Sequence, residues 1–422
     1  MEKTLIYKTQ WKPESSGESG IKFILFLISP FLAFLYSLRS INTRSSFVVF
    51  FFTAVFFGLS MTYAPDNMLD GHWHAFDFQS YEFMSSNQYW QKVNSFFTFD
   101  NQEEIKDLYD VTVKYLVSRV TNNYHVFFMV LAIVFATFSL KGFKIFTSEQ
   151  NLDRSLLTYI LAYIFLTPQI FDINGVRFPT ATVIATLCLF KIFRDKNYNY
   201  LWLAAITPLI HAGYVFFFAI LGMGIFLKKL GNIWTILFVA SFFTGELSLQ
   251  LLGENLDMLS GFREGWAESY FTYNDVYYTK GSGFYWVREI FQFLGRFYWN
   301  FIVLLMLLNK QGILSNPKTR DLFRLLVIIM TFSNFTYAIP SLGSRYRMLC
   351  MPLIAYIWLV SFKGSKKDVF VLYVYPVVAS LSLFDRYQQY MSVLDYSFFF
   401  SSPFLLIYQN LINYVPVAPM LR

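Results

Sequence analysis

Long apolar runs separated by short polar segments extend along almost the whole chain. Each run has the length, about 17 residues or more, that a helix needs to cross the hydrocarbon core of a bilayer. Irregular backbone cannot satisfy its polar groups in lipid, so we expect the runs to be α-helices. They lie near residues 21–38, 47–62, 125–141, 155–171, 177–193, 199–227, 233–252, 286–308, 320–339, 346–362, 368–384 and 396–414.

The run near 199–227 differs from the others in length. At about 29 residues it is too long for one ordinary span and too short for two full ones. His211, Ala212 and Gly213 lie near its middle. We interpret the run as two short helices broken at this tripeptide, with the break inside the protein below the outer membrane surface. The pattern therefore predicts an all-α, polytopic integral membrane protein, a single transmembrane domain over 1–422 with about 12 to 13 spanning helices.

Composition supports this fold class, and the positions of the charges give it an orientation. The chain is 55% hydrophobic and 21% aromatic but only 14% charged, whereas soluble domains carry roughly 25% charged residues. The net charge of +7 comes mostly from short loops between the runs, which the positive-inside rule places in the cytoplasm. Nucleic-acid binding is not indicated, because these basic residues form no stripe along one face.

Two of the segments expected outside are long, near 63–122 and 253–285, at roughly 60 and 33 residues. Both mix Trp and Tyr with acidic and basic residues. Loops of this length inside a compact protein are uncommon unless they are functional. Aromatic planes interleaved with polar groups suit sugar rings, although an interfacial aromatic belt explains many of the same side chains.

Metal and cofactor chemistry are not indicated. His72, His74 and Asp77 have the residue types of a zinc site, but their spacing is not that of a helical histidine pair, and no third strong ligand is near. Cys188 and Cys350 lie inside apolar runs and read as small core residues. The chain has no Gly-rich phosphate loop and no nucleophile elbow. We therefore expect neither a metal nor a cofactor.

Polar residues at membrane depth give a sharper signal. The stretch FDINGVRFPT places Asp172, Asn174 and Arg177 between two apolar runs. An ionised side chain at this depth is costly and by default marks a functional site. Further arginines lie on the same side of the predicted topology: Arg263, Arg288, Arg345, Arg347 and Arg386. Arginine presents a planar fork of donors that suits phosphate oxygens. The alternative is a structural ion pair, such as Arg177 with Asp172.

Three stretches resemble a known family. They are NGVRFPTATVIATLCLF, then KNYNYLWLAAITPLIHAGYVFFFAIL with a histidine at the helix break, and later GSRYRMLCMPLIAYI. Together with FDFQSYEFM in the first outward segment, they resemble the EpsG-like branch of the Wzy-type bacterial polysaccharide polymerases. That family typically reads NGIRQ where this chain reads NGVRF, so Phe178 stands in place of an amide.

The resemblance implies a lipid-dependent, multi-span glycosyltransferase of GT-C-like architecture in the bacterial inner membrane, active on its periplasmic face. It would transfer a growing glycan from a polyprenyl-pyrophosphate carrier onto the non-reducing end of an incoming lipid-linked repeat unit. A protein that regulates chain length is a possible partner.

This reaction needs a cationic clamp for the departing pyrophosphate and a base for the acceptor hydroxyl. For the clamp we expect Arg177, Arg345 and Arg347, with Arg288 and Arg263 in reserve, and we expect Asp172 to hold an arginine in place. The residues that would orient the phosphate or first sugar are Asn174 and Tyr346. The base would be His211 or Asp77, and the ordinary pKa of histidine, about 6.5, favours His211.

Two other functions fit parts of the pattern. A flippase or other transporter for lipid-linked glycans also uses broken helices and charges near the midplane. The lack of a clear internal repeat speaks against it. A ligase of the O-antigen type is the other enzyme candidate, but it should have its largest outward loop late in the chain.

Overall fold

The protein is all-helical in the part of the chain that its computed structural model describes. The described residues are 11–63, 70–98, 105, 107–150, 152–226, 231–243, 285–337, 339, 342–391 and 393–416, with backbone alone for 231, 285–289 and 384–391. No strand occurs among them; the only β pairing there is an isolated antiparallel bridge between Met61 and Leu394.

The described residues contain eighteen α-helices. The first nine are α1 Ser16–Ile28, α2 Pro30–Ser37, α3 Arg44–Leu59, α4 Asp70–Ser80, α5 Ser86–Thr98, α6 Leu108–Ser118, α7 Tyr124–Thr147, α8 Leu156–Phe165 and α9 Arg177–Leu189. The others are α10 Leu201–Ile210, α11 Val215–Phe226, α12 Gly231–Phe243, α13 Tyr285–Leu308, α14 Lys310–Ser315, α15 Arg320–Phe335, α16 Leu342–Ser361, α17 Tyr375–Met391 and α18 Pro403–Ile407.

Three helical stretches of the described chain are long and apolar enough to cross a membrane, judged by length and composition alone. They are Tyr124–Thr147, Leu156–Gly175 and Ile290–Leu308. The remaining apolar helices of the described chain are 10 to 17 residues long. Arg44–Leu59 and Ala212–Phe226 are examples of these shorter segments.

The run near 21–38 was predicted as one span, and this prediction is wrong. The chain turns at Ser29, whose extended backbone ends α1 and whose side chain caps the first turn of α2. The two helices then pack against each other, so that Lys22 of α1 bonds to Ser40 at 2.8 Å and to Thr43 at 3.0 Å, just beyond α2. The start of α1 therefore lies beside the 39–44 loop, at the same end of the bundle.

The predicted break at His211-Ala212-Gly213 is confirmed. Helix α10 ends at Ile210, a short 3₁₀ turn covers Ala212–Tyr214, and α11 follows. The helix predicted near 346–362 begins earlier than expected. Helix α16 begins at Leu342, so Arg345 to Arg347 lie in its first turns.

The first long segment, near 63–122, is largely helical. It contains α4, α5 and α6, which form a cap over one end of the bundle. The second long segment, near 253–285, lies outside the described residues except for its last position, at which α13 begins.

Helix α9 is at the centre of the bundle and packs on α7, α10 and α16. Every residue from Pro179 to Leu189 in this helix is buried. Its two ends each carry an arginine: Arg177 is its first residue, and Arg194 ends the π-helical turn that follows it. The terms Arg177 end and Arg194 end are used below for the two ends of the bundle.

Candidate active site

The turn before α9 fixes the direction in which Arg177 leaves the helix. Residues Ile170–Gly175 form a 3₁₀ turn, and Asp172 Oδ2 accepts from the backbone N–H of Gln169 at its start, at 2.7 Å. Val176 then adopts φ 47° and ψ −65° while fully buried. Positive φ is costly for a β-branched residue, and such strain is held only where the surroundings enforce it. The strained residue immediately precedes Arg177.

Arg177 forms an ion pair with Asp107, the residue just before cap helix α6. Arg177 Nη1 lies 2.8 Å from Asp107 Oδ2. The Asp107 side chain is 1% exposed, whereas that of Arg177 is 30% exposed. The arginine therefore holds the buried carboxylate with one nitrogen and turns part of its fork toward open space.

Asp107 also binds the broken helix. Its Oδ1 accepts from the backbone N–H of Ala212 at 2.7 Å, and its Oδ2 lies 3.4 Å from His211 Nδ1. Burial alone would raise the pKa of this carboxyl, but the hydrogen bond and charge of His211, the charge of Arg177 and the Ala212 N–H outweigh burial and lower the pKa. One carboxylate thus joins the cap, the start of α9 and the helix break.

The other nitrogen of His211 faces Arg345. Arg345 Nη1 lies 2.9 Å from His211 Nε2. A guanidinium only donates, so Nε2 accepts, and a neutral ring then carries its hydrogen on Nδ1, facing Asp107. Asp107, His211 and Arg345 form one line of hydrogen-bonding groups, in which the carboxylate sets the tautomer of the imidazole.

The ring of Phe178 contacts both His211 and Arg345. The Arg345 guanidinium lies over its ring, with Cζ 5.2 Å from the ring centroid. The ring of His211 meets the same phenyl edge-on, with centroids 5.8 Å apart. The residue that departs from the family's NGIRQ pattern thus supplies an aromatic shelf for a cation.

A cavity of about 180 Å³ opens beside these groups. Its walls carry two arginines, two aspartates and an asparagine. The lining residues are Asp70, Phe171, Asp172, Asn174, Gly175, Arg177, Phe178, Pro179, His211, Arg345, Met348 and Val393. The cavity therefore brings together Arg177, Asn174, Asp172, His211 and Arg345 from the predicted site.

Two further contacts hold the walls in place. Tyr346 is buried and donates from its hydroxyl to the carbonyl of Gly213 at 2.8 Å, which fixes the helix break against α16. Asn174 Oδ1 accepts from the backbone N–H of Gly71 at 3.1 Å, which ties cap helix α4 to the turn before α9. The Tyr346 hydroxyl, expected to orient the phosphate or first sugar, therefore holds the helix break.

Of the other arginines predicted for the clamp, only Arg347 has a described side chain. Arg347 does not line the cavity, because residues two apart on a helix point about 200° away from each other. Arg263 lies outside the described residues, as does the side chain of Arg288.

Asp77 belongs to a second hollow, on the cap. This hollow has a volume of about 710 Å³, and its residues are Trp73, His74, Phe76, Asp77, Gln79, Ser80, Phe83, Asp110 and Lys114. Lys114 Nζ lies 2.7 Å from Asp77 and 2.8 Å from Asp110. Burial alone would raise the pKa of the Asp110 carboxyl, but His74 and Lys114 hold the pKa well below its usual range.

The cap histidines are not arranged as a metal site in the described part of the chain, where no group of three or more His, Cys, Asp or Glu side chains is placed to hold an ion. His74 Nδ1 lies 3.2 Å from Asp110 Oδ1. His72 is fully buried, with its ring edge-on to Tyr63.

Asp107 is the residue of this site that sequence reasoning missed. In the sequence it is one of several acidic residues in an outward segment, with no spacing that sets it apart. Only the folded cap places it against α9 and the helix break, about 70 and 105 residues later in the chain. The Asp107 side chain is buried, whereas that of Asp77, the cap aspartate that the sequence analysis proposed as a base, is half exposed.

A model of the EpsG family matches residues 71–399, well over half of the chain. No curated protein and no solved structure matches the chain. The matched region contains the cap, the turn before α9, the helix break and α16, and so the whole Asp107–His211–Arg345 line. Together with the apolar helices, family membership suggests a membrane protein with a polysaccharide polymerase-like function. The resemblance found in the sequence is confirmed: the chain belongs to the EpsG family.

Proposed function

We propose that the chain is a metal-independent membrane glycosyltransferase of the Wzy type. It transfers a growing glycan from a polyprenyl-pyrophosphate carrier onto the non-reducing end of an incoming lipid-linked repeat unit. The observation that carries this proposal is the cavity shared by Arg177, Arg345 and His211 in a chain of the EpsG family.

Arg177 and Arg345 are the proposed clamp for the leaving pyrophosphate. Both line the cavity, and each has one nitrogen already held, by Asp107 and by His211 respectively. Their forks are thereby oriented before substrate arrives, and pre-oriented donors stabilise charge that develops in the transition state. Phe178 keeps Arg345 at the cavity wall.

His211 is the proposed base. When the pyrophosphate binds Arg345, Nε2 loses its donor and becomes a free acceptor for the acceptor hydroxyl proton, while Asp107 stabilises the resulting imidazolium. The hydroxyl oxygen of the incoming repeat unit bonds to the anomeric carbon of the growing glycan. The bond from that carbon to the pyrophosphate oxygen breaks, and its electron pair leaves with the pyrophosphate.

The hollow on the cap is the proposed place for the glycan. Trp73, Phe76 and Phe83 are exposed around the half-exposed carboxylate of Asp77. Aromatic faces stack on sugar C–H groups, and carboxylates accept from hydroxyls. Asp70 at the main cavity and Asp77 at this hollow lie on the same helix, about 10 Å apart along its axis. Asp77 would thus bind sugar rather than act as the base.

The proposal also covers the membrane architecture, the orientation and a partner protein. The helices would form a GT-C-like bundle of about 12 to 13 spans in the bacterial inner membrane. The Arg177 end would face the periplasm, because the lysine-rich and arginine-rich loops lie at the Arg194 end. A chain-length regulator is a proposed partner.

The test uses purified protein and lipid-linked repeat units as the only substrate. Chains of increasing length should form without nucleotide sugar and with a chelator present. A requirement for either nucleotide sugar or metal would contradict the mechanism.

The transporter alternative is separated by deleting the gene. A polymerase defect leaves surface glycan with single repeat units. A flippase defect leaves lipid-linked units on the cytoplasmic side of the membrane, and that outcome would favour transport.

A further inference from the structure

A third hollow of the molecule is apolar and lies apart from the cap. It is a groove of about 620 Å³ between α2, α3, α7 and α8, within the range of roughly 300 to 1,000 Å³ that is typical of ligand sites. Along α7 it extends from Phe135 to Phe143, eight residues or about 12 Å.

The wall of the groove offers little to a polar ligand. Most of its lining is aliphatic or aromatic. Three of its polar side chains, Thr53, Tyr159 and Gln169, each donate to a backbone carbonyl, at 3.1, 3.0 and 3.0 Å. With these donors committed to the fold, a ligand in the groove meets mainly hydrocarbon.

The groove reaches the candidate active site. Phe171 lines both the groove and the cavity that holds Arg177 and Arg345. Its ring packs edge-on to Phe57 of the groove, with centroids 4.7 Å apart. The next residue, Asp172, already belongs to the polar cavity. One ligand could therefore place a charged group at the arginines and an apolar chain in the groove.

The dimensions limit what kind of chain fits. A volume of about 620 Å³ over about 12 Å gives a cross-section near 50 Å², or a width of about 8 Å. A helix with its side chains is about 10 to 12 Å wide, so a protein segment in helical form does not fit. A single hydrocarbon chain does.

We propose that this groove holds the hydrocarbon tail of the lipid carrier whose phosphate lies between Arg177 and Arg345. The proposal rests on the function proposed above and adds to it a binding site for the tail. The tail leaves the polar cavity past Phe171 and runs between α3, α7 and α8 toward the Arg194 end.

The first test narrows the groove. Ala54 lines it and is only partly buried, so Ala54→Trp fills space without rebuilding the core. With repeat units on a full-length polyprenyl carrier, KM should rise about tenfold, because a tenfold change corresponds to about 1.4 kcal/mol of lost tail contact. With a carrier too short to pass Phe171, KM should stay within about twofold of wild type.

Ala219→Trp, on the exposed face of α11, is the matched control. It should change the KM for neither the full-length nor the short carrier. Equal changes of KM for both carriers, or no change for either, would overturn the proposal. If wild-type protein elongates neither substrate, the proposed function fails instead.

The second test reads the tail directly and does not depend on turnover. A photoreactive residue replaces Ser139, which lines the groove on α7. Full-length polyprenyl phosphate should form an adduct at this position, and a short-chain phosphate should not. The absence of an adduct with the full-length lipid would contradict the proposal, even where the enzyme is active.

Discussion

The two arginines at the ends of α9 have similar chemistry and opposite surroundings. Arg177 and Arg194 lie 17 residues apart, about 25 Å along one helix. The Arg194 side chain is 2% exposed, and its Nε and Nη2 bond to Tyr356 at 2.6 Å and to Glu149 at 2.8 Å. Its Nη1 bonds to Asp195. All three nitrogens serve the fold.

Arg177 is 30% exposed, and its Nη1 is paired with Asp107 at 2.8 Å beside a polar cavity. The surroundings of each arginine distinguish a structural role from an anion-binding role. A buried arginine with every nitrogen bonded locks helices together, and removing it takes a buried partner from each carboxylate that it contacts. An arginine held by one nitrogen at a cavity wall is oriented and still able to bind an anion. Four predictions test this contrast.

The largest expected effect is on stability at the Arg194 end. Without Arg194, Glu149 keeps Lys318 and Asp195 keeps Lys191, each about a quarter exposed. Arg194→Ala should still destabilise the protein by about 3 kcal/mol, because both buried carboxylates lose a buried cationic partner. Thermal melting of detergent-solubilised protein measures this. Lys191→Ala removes a quarter-exposed partner of Asp195 and should cost less than about 1 kcal/mol. Equal losses in the two variants would contradict the contrast.

At the Arg177 end the effect should fall on turnover. Arg177→Lys keeps the positive charge and loses the fork, so polymer formation should drop about 100-fold, as when one transition-state donor is removed. The melting temperature should change little. Arg154→Lys, at an exposed position, serves as the control. Near-normal activity of Arg177→Lys would argue against the clamp.

A pH effect should follow from Asp107. Its pKa in the folded protein lies below the usual value of about 3.8. Its bonds therefore contribute fully to stability above about pH 4, and the contribution is lost as pH falls through the lower folded pKa. The expected loss in acid is about 1.5 to 3 kcal/mol, the range for hydrogen bonds to a charged group. Melting between pH 8 and pH 2 checks this.

Asp107→Asn should be less stable than wild type at neutral pH. It should not show the loss of stability in acid that protonation of Asp107 causes in wild type. Parallel curves for the two proteins between pH 8 and pH 2 would show that the carboxylate contributes nothing through these bonds.

The smallest effect is expected where the cap meets the turn before α9. A β-carbon at Gly71 would overlap Asn174 Oδ1 and the Tyr63 hydroxyl. Gly71→Ala should therefore shift α4 and cost about 1 to 2 kcal/mol, as overpacking does, with a few-fold loss of activity. Gly222→Ala has open space around it and is the control. A crystal or cryo-EM structure with α4 unmoved would contradict the expected shift.

Sequence reasoning succeeded where a local pattern has one physical solution. The His211 break follows from a run of the wrong length for a span. Sequence reasoning failed where a continuous apolar run contains a turn between two helices. Ser29-Pro30 is an N-cap followed by an N1 proline, a signal for a new helix that hydropathy alone averages away.

The two arginines of GSRYR show the same limit at the site. Both were predicted for the clamp at the start of the run near 346–362, but the helix begins at Leu342 and directs them to different sides. Helix starts are the least certain part of a sequence prediction. A shift of a few residues decides which side chain faces the cavity.

The all-helical class, the broken helix, the family and the arginines between apolar runs can all be read from the sequence. Hydrophobic length and charge placement fix these features locally, through the cost of exposing backbone or charge to an apolar surrounding. The tertiary structure alone decided that Asp107, His211 and Arg345 form one line, that Arg177 faces a cavity and that Arg194 does not. These contacts join residues far apart in the chain, and only the packing of the cap and α9 brings them within bonding distance.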